Sequence, residues 1–205
     1  MAMSHDTHAE QAILSVALRL FSELGYDGTT LRMIADAAGT EPAAVRAAFG
    51  GKKELYLRLI SQSVRDQAVG LEELEPRLTP DADGIDLLID HYFEYGLEHP
   101  GFSGIWMHRR LADAVDLTEE VQLNYRTPVV AEIREIIIRA FKPGVDSEFA
   151  MWMFIWSIDC FLSGGMISAS GERYSPGSLK IRRRFLENIH GLIAMVALPG
   201  RPSGS

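Results

Sequence analysis

The chain has 205 residues, 47% hydrophobic and 23% charged, with a formal net charge of −8. That length can bury a proper core as one domain or two, and the composition is that of an ordinary soluble globular protein. A single cysteine, Cys160, excludes an intrachain disulfide framework and a Cys-rich zinc site, and together with the lack of a signal peptide it suits a reducing cytoplasm.

Proline and glycine punctuate an all-helical pattern, with no convincing period-two strand. The first predicted helix, about His8 to Leu24, carries Ile13, Val16 or Ala17, Leu20 and Phe21 at helical spacing. Thr30 caps a second, Leu31 to Ala38, whose Ile34, Ala35, Ala37 and Ala38 let it lie close to a neighbour. Gly39 falls where that helix must stop, in a left-handed conformation that is cheap only for glycine. Thr40 or Glu41 then caps a third helix, Pro42 to Phe49, with Pro42 in the first turn, where a missing amide hydrogen costs nothing. Val45 and Phe49, four apart, make the side that plugs back into the domain. Such a geometry is a helix-turn-helix, whose second helix can lie in the DNA major groove.

A fourth helix begins near Lys53 and carries Leu55, Leu59 and Val69. The loop Glu75 to Gly84 precedes helices at about Ile85 to Glu98, Phe102 to Ala112 and Thr118 to Phe141, the last bent where Pro128 removes a hydrogen bond. Asp146 or Ser147 caps a long helix from Ser147 to Ala169, apolar enough to raise the question of a membrane span. Asp159 in its middle, with Ser157, Ser163, Gly164 and Gly165, favours instead a helix buried in a core or dimer interface. A final helix spans about Leu179 to Leu198, and the tail 199–205 is expected to be disordered.

The segment Ile13 to Thr30 (ILSVALRLFSELGYDGTT), followed by IADAAG and the exit FGGKKEL, resembles the DNA-binding domain of TetR-type transcriptional regulators. The resemblance is close over about the first quarter of the chain and is one of layout beyond it. It implies an all-α fold of about nine helices, with a helix-turn-helix DNA-binding domain at 1–54 and a ligand-binding and dimerisation domain at 55–198. The implied protein is a cytoplasmic repressor without cofactor or membrane attachment. As a homodimer it binds a palindromic operator, and a small-molecule effector releases it. The alternatives are a TetR-like activator, or a helical small-molecule-binding protein or enzyme whose first helices are only structural.

Residues 1–60 hold seven acids and six bases, a net of −1, so the remaining −7 lies in the body. Arg32, Arg46, Lys52 and Lys53 nevertheless all fall at the helix-turn-helix or its exit. The resemblance places Thr30, Arg32 and Lys52 at DNA, Lys52 on phosphate beside the amides that open helix four. An arginine such as Arg32 can grip guanine through O6 and N7, and Pro42, Ala43, Ala44 and Ala47 are small enough to meet thymine methyls. Arg46 departs from the family, which commonly has tyrosine there and an aromatic residue or histidine in the next two places. One long cation therefore replaces the usual phosphate-holding groups, or reads a base.

Among the six histidines no spacing suits a metal, and no catalytic constellation is visible. The middle helices are rich in aromatic side chains, and the resemblance turns Tyr92, Phe93, Phe102, Trp106, Tyr125, Trp152 and Trp156 into walls of an effector pocket. Asp159 is a polar anchor in that pocket, the partner of Arg109 or Arg126, or a hydrogen-bonding group at a dimer interface. One apolar stripe, Phe149, Met153, Cys160, Gly164 and Ile167, runs along the long helix, and a second, Ile181, Phe185, Ile189 and Leu192, along the last. Two such helices per subunit would make a four-helix dimer seam, as in the family, although each stripe by itself equally fits an intramolecular core.

Overall fold

The computed structural model describes residues 2–124 and 128–200, with side chains from 8 to 121 and from 131 to 200. These residues form α1 (Ala2–Gly28), α2 (Leu31–Ala38), α3 (Pro42–Phe49), α4 (Lys52–Leu74), α5 (Ala82–Glu98), α6 (Pro100–Arg110), α7 (Thr118–Asn124), α8 (Pro128–Ala140), α9 (Ser147–Gly164) and α10 (Leu179–Val196). A small antiparallel hairpin, β1 (Met166–Ile167) with β2 (Arg173–Tyr174), joins the last two helices and pairs Met166 with Tyr174. The fold is all-α, as the apolar periodicity requires. Among the described residues no helix is long and apolar enough to cross a membrane.

Three segments differ in detail from the sequence pattern. α1 continues to Gly28 but is interrupted at Gly25 (φ 76°, ψ 171°), next to the expected end at Leu24. The helix expected over 118–141 is α7 and α8, with Pro128 at the start of α8; residues 125–127 lie outside the described residues, as do 201–205 of the tail. α9 stops at Gly164 rather than Ala169, because the chain turns at Gly165 into the hairpin. A strand of two residues is too short to print an alternation in sequence.

The chain divides into two compact units, one of Met1–Asp66 with Gly101–Tyr125, the other of Gln67–Pro100 with Arg126–Ser205. In the first, Ile13, Ala17 and Phe21 of α1 meet Ile34 of α2, Val45 and Phe49 of α3, and Leu55, Tyr56 and Ile60 of α4. Phe102 and Ile105 of α6 join the same core. The Phe21, Tyr26 and Tyr56 rings form its centre, Tyr56 edge-on to Phe21 at 5.1 Å and 4.9 Å from Tyr26. Each fully buried large side chain contributes about 1.5–3 kcal/mol.

In the second unit α5 lies among α8, α9 and α10. Ile85, Ile89 and Phe93 meet Ile133, Ile137, Phe154, Ile158, Phe161, Ile189 and Ile193. The Phe161 and Phe185 rings stack at 4.2 Å, with Phe93 beside both. His190 Nε2 meets Asp90 Oδ1 at 2.8 Å, tying α10 to α5.

His91, on α5, packs over Gly70 of α4 with its Nε2 buried and without a hydrogen-bond partner. Burial pushes the imidazole below its ordinary value, against the weaker pull of Glu73 and Glu98. The folded state therefore disfavours the proton that the unfolded chain accepts near pH ~6.5. Stability is present above that pH and is lost as pH falls through it. The urea midpoint is expected to drop between pH 7.5 and 5, and His91→Gln to lose this part of the dependence in parallel titrations; an unchanged pH profile in that variant would remove His91 as the cause.

Candidate nucleic-acid interface

The helix-turn-helix is assembled from local rules. Thr30, extended at φ −112° and ψ 154°, accepts the Met33 N–H on its Oγ1 at 3.2 Å and starts α2. Gly39, at φ 67° and ψ 34°, ends it. The Thr40 N–H reaches Ala35 O at 3.0 Å and the Gly39 N–H reaches Asp36 O at 3.3 Å, the paired bonds of a Schellman closure. Glu41 occupies the cap position of α3 without a side-chain bond, and Pro42 stands in the first turn.

α3 then splits cleanly by face. Val45 and Phe49 are buried, while Ala43, Ala44, Arg46 and Ala47 are in water and Pro42 is half-buried. Thr30 and Arg32 are exposed too. Arg32 lies 3.8 Å from Asp36 on the next turn, with both side chains well solvated, so the pair holds it only weakly.

Lys52 has a definite seat. Its Nζ donates to Tyr26 O at 2.9 Å and stands 4.0 Å from the centre of the Tyr26 ring, fastening the first residue of α4 to the end of α1. An ammonium carries three donors, and one is used here. Lys53 is engaged elsewhere, 2.8 Å from Glu120 of α7. Sequence reasoning missed Tyr26, and with it Asp113, whose carboxylate meets the Tyr26 N–H at 2.7 Å across 87 residues. Local patterns carry no signal at that range.

A two-turn helix seated by its apolar side, with small residues and a cation on the other, has the geometry of a helix-turn-helix, the class whose second helix reads DNA. The sequence model for bacterial regulatory proteins of the tetR family matches residues 13–59. The HTH-type transcriptional regulator RutR of Escherichia coli (strain K12) is 30% identical over 152 residues, covering 72% of this chain and 70% of RutR. The HTH-type transcriptional repressor AcnR of Corynebacterium glutamicum is 36% identical over 67 residues, 33% of this chain and 36% of AcnR, so that match spans about a third of AcnR's length. Among solved structures, a TetR family transcription regulator from Marinobacter aquaeolei VT8 superposes with a TM-score of 0.64 at 20% identity, covering 95% of this chain and 98% of that one. The ketosteroid transcriptional regulator KstR2 of Mycobacterium tuberculosis does so at 0.60 and 17% identity, covering 90% and 93%. The chain belongs to the TetR family of transcriptional regulators.

The residues expected to wall an effector pocket are distributed over both units. Phe102 is buried and Trp106 half-buried in the first, because α6 packs on the core around α1. Phe93 is fully buried in the second, and Tyr92 beside it donates its hydroxyl to Asp159 Oδ1 at 2.9 Å. Trp152 and Trp156 stand exposed on α9. Tyr125 lies outside the described residues, as does Arg126, one expected partner of Asp159. The other, Arg109, points its Nη1 at Ala114 O at 3.4 Å within the first unit.

The stripe on α9 is solvent-facing at Phe149, Met153, Cys160 and Gly164, and Ile167 of β1 extends it. On α10, Leu192 is exposed, Ile181 and Phe185 half-buried and Ile189 buried. Between the two helices runs an open apolar groove of about 660 Å³, lined by Met153, Trp156, Cys160, Ile181, Phe185 and Ile189 among others, with Arg184 and Asn188 as polar neighbours.

Asp159 is 1% exposed and receives a hydroxyl bond from Tyr92. A hydrogen bond of this kind contributes about 0.5–1.5 kcal/mol net. Tyr92→Phe is expected to lower the unfolding free energy by about that amount in urea titration. No loss would mean that the bond contributes nothing to folding.

Proposed function

We propose that the protein is a ligand-responsive repressor. Residues 1–54 act as the reading head and 55–198 as the body that senses an effector and dimerises. The single observation that carries this reading is the two-sidedness of α3, buried through Val45 and Phe49 and open through Ala43, Ala44, Arg46 and Ala47. The alanines let the helix sit deep in a major groove, and Arg46 has the reach for a guanine edge or a phosphate. Thr30, Arg32 and Lys52 flank it, with Lys52 on a phosphate beside the opening amides of α4.

One such helix makes too few contacts for a useful operator affinity. A two-fold pair places two of them about 34–36 Å apart on successive turns of a palindrome. The apolar stripes of α9 and α10, exposed on the first and largely exposed only at Leu192 on the second, supply a self-complementary seam for that pair: Phe149, Met153, Cys160, Gly164 and Ile167 from one helix and its hairpin, Ile181, Phe185, Ile189 and Leu192 from the other. An effector bound in the body, with Asp159 as an internal polar anchor, favours a state in which α4 shifts and the heads leave operator spacing. A coupling of about 1–3 kcal/mol changes DNA affinity by roughly 5- to 150-fold.

The test is selection of bound fragments from genomic DNA, followed by affinity measurements on randomised operators. Lys52→Gln is expected to weaken all sequences alike and to reduce the salt slope by about one. Arg46→Ala and Arg32→Ala are expected to cost about 1–3 kcal/mol and to relax preference at particular base pairs. Equal, sequence-blind losses in all three variants would refute this division of labour. A monomer at micromolar concentration in sedimentation would refute the seam.

A further inference from the structure

α6 ends in the same closure as α2, with one chemical difference. The Asp113 N–H donates to His108 O at 3.2 Å and the Ala112 N–H to Arg109 O at 3.2 Å, again the paired bonds of a Schellman turn. The residue forced into the left-handed region is here an alanine, Ala112 at φ 63°, and Ala114 follows at φ 53°. In that region an L side chain crowds the following carbonyl, a cost that glycine escapes. Two strained alanines around one aspartate are a costly way to end a helix.

What the turn achieves is the aim of Asp113. Its Oδ2 accepts the Tyr26 N–H at 2.7 Å and its Oδ1 the Asp27 N–H at 2.8 Å, so one carboxylate grips two consecutive amides. The Ala114 N–H leans back on Asp27 Oδ2 at 3.4 Å. Gly25, at φ 76°, makes the approach possible, since a Cβ there would stand 2.9 Å from Asp113 Oδ1. Tyr26, gripped on its amide side by Asp113, offers its carbonyl and its ring to Lys52. The order of contact is therefore Asp113, Tyr26, Lys52.

We propose that Asp113 is a positioning residue for DNA recognition, holding the corner Gly25–Asp27 and through it the seat of Lys52 at the start of α4. The stretch from α6 to α7 thereby acts as a clasp on the reading head, and its release lowers affinity for DNA. The strain at Ala112 and Ala114 favours opening, and the two charge-assisted bonds keep the clasp shut. This proposal rests on the reading of Lys52 as a phosphate contact.

The experiment uses the full-length protein and an operator selected with the wild type. Asp113→Asn keeps the side-chain shape but puts an amide group opposite a backbone N–H. It is expected to weaken operator binding about 10-fold or more and to lower the slope of log affinity against log salt by about one. Lys52→Gln is expected to cost much less in the Asp113→Asn background than in the wild type, a non-additivity that a merely structural aspartate has no reason to produce. Ala112→Gly keeps the carboxylate and relieves the backbone, so it is expected to raise the melting temperature and to bind the operator at least as tightly as the wild type. Should Asp113→Asn alone fail to fold, the same measurements are made in the Ala112→Gly background. Wild-type affinity and salt slope in Asp113→Asn, or additive losses with Lys52→Gln, would overturn the clasp and leave the repressor reading standing. A wild-type protein that selects no genomic fragment would overturn both.

Discussion

A helix of eight residues has no stability of its own in water, since the entropy of nucleation outweighs the few hydrogen bonds that two turns can close. α3 therefore exists because Val45 and Phe49 are inserted into a core already built by α1, α2 and α4. Everything on its other side follows from that insertion. The angle at which Ala43, Ala44, Arg46 and Ala47 face outward is fixed by which two positions are buried, and the turn at Gly39 fixes where the helix begins. α2 stands under the same constraint, which is why Thr30 supplies a cap and Gly39 a complete closure. Lys52, seated on Tyr26, then locks the next element to the end of α1.

What was legible in the sequence was what is local. Helix periodicity gave the order of the helices, with the one expected over 118–141 found as α7 and α8, and the α2–turn–α3 boundaries agree with the structure because cap, glycine and proline all act within a few residues of where they stand. The two closures make the limit plain. At Gly39 the left-handed residue is a glycine and announces itself; at Ala112 the same geometry is imposed on an alanine, and nothing in the local row betrays it. Only Tyr26 and Asp27, in contact with Asp113 from 86 to 87 residues away, explain why the turn is made. The hairpin after α9 was invisible for a different reason, being only two residues per strand.

The aromatic content of the middle helices marked side chains that pack, but composition carries no address. Phe102 and Phe93 are equally apolar and both buried, yet they belong to different cores. Asp159 was conspicuous as an acid in an apolar helix, and in the structure it accepts the Tyr92 hydroxyl. By contrast the exposed stripe of α9 was readable, since a helix that stays apolar on a face its own core does not use repeats its signature every three or four residues, whereas on α10 Ile189 and Phe185 serve the unit's own core.

Two of the three indole rings in the chain, Trp152 and Trp156, lie 6.2 Å apart on the water-facing side of α9, next to Phe149. Indole fluorescence is red-shifted by mobile water dipoles and moves toward the blue when a dry surface displaces them. The molecule thus carries its own optical gauge on that face, readable without any attached dye. The colour of its emission on dilution follows how wet the flank of α9 is.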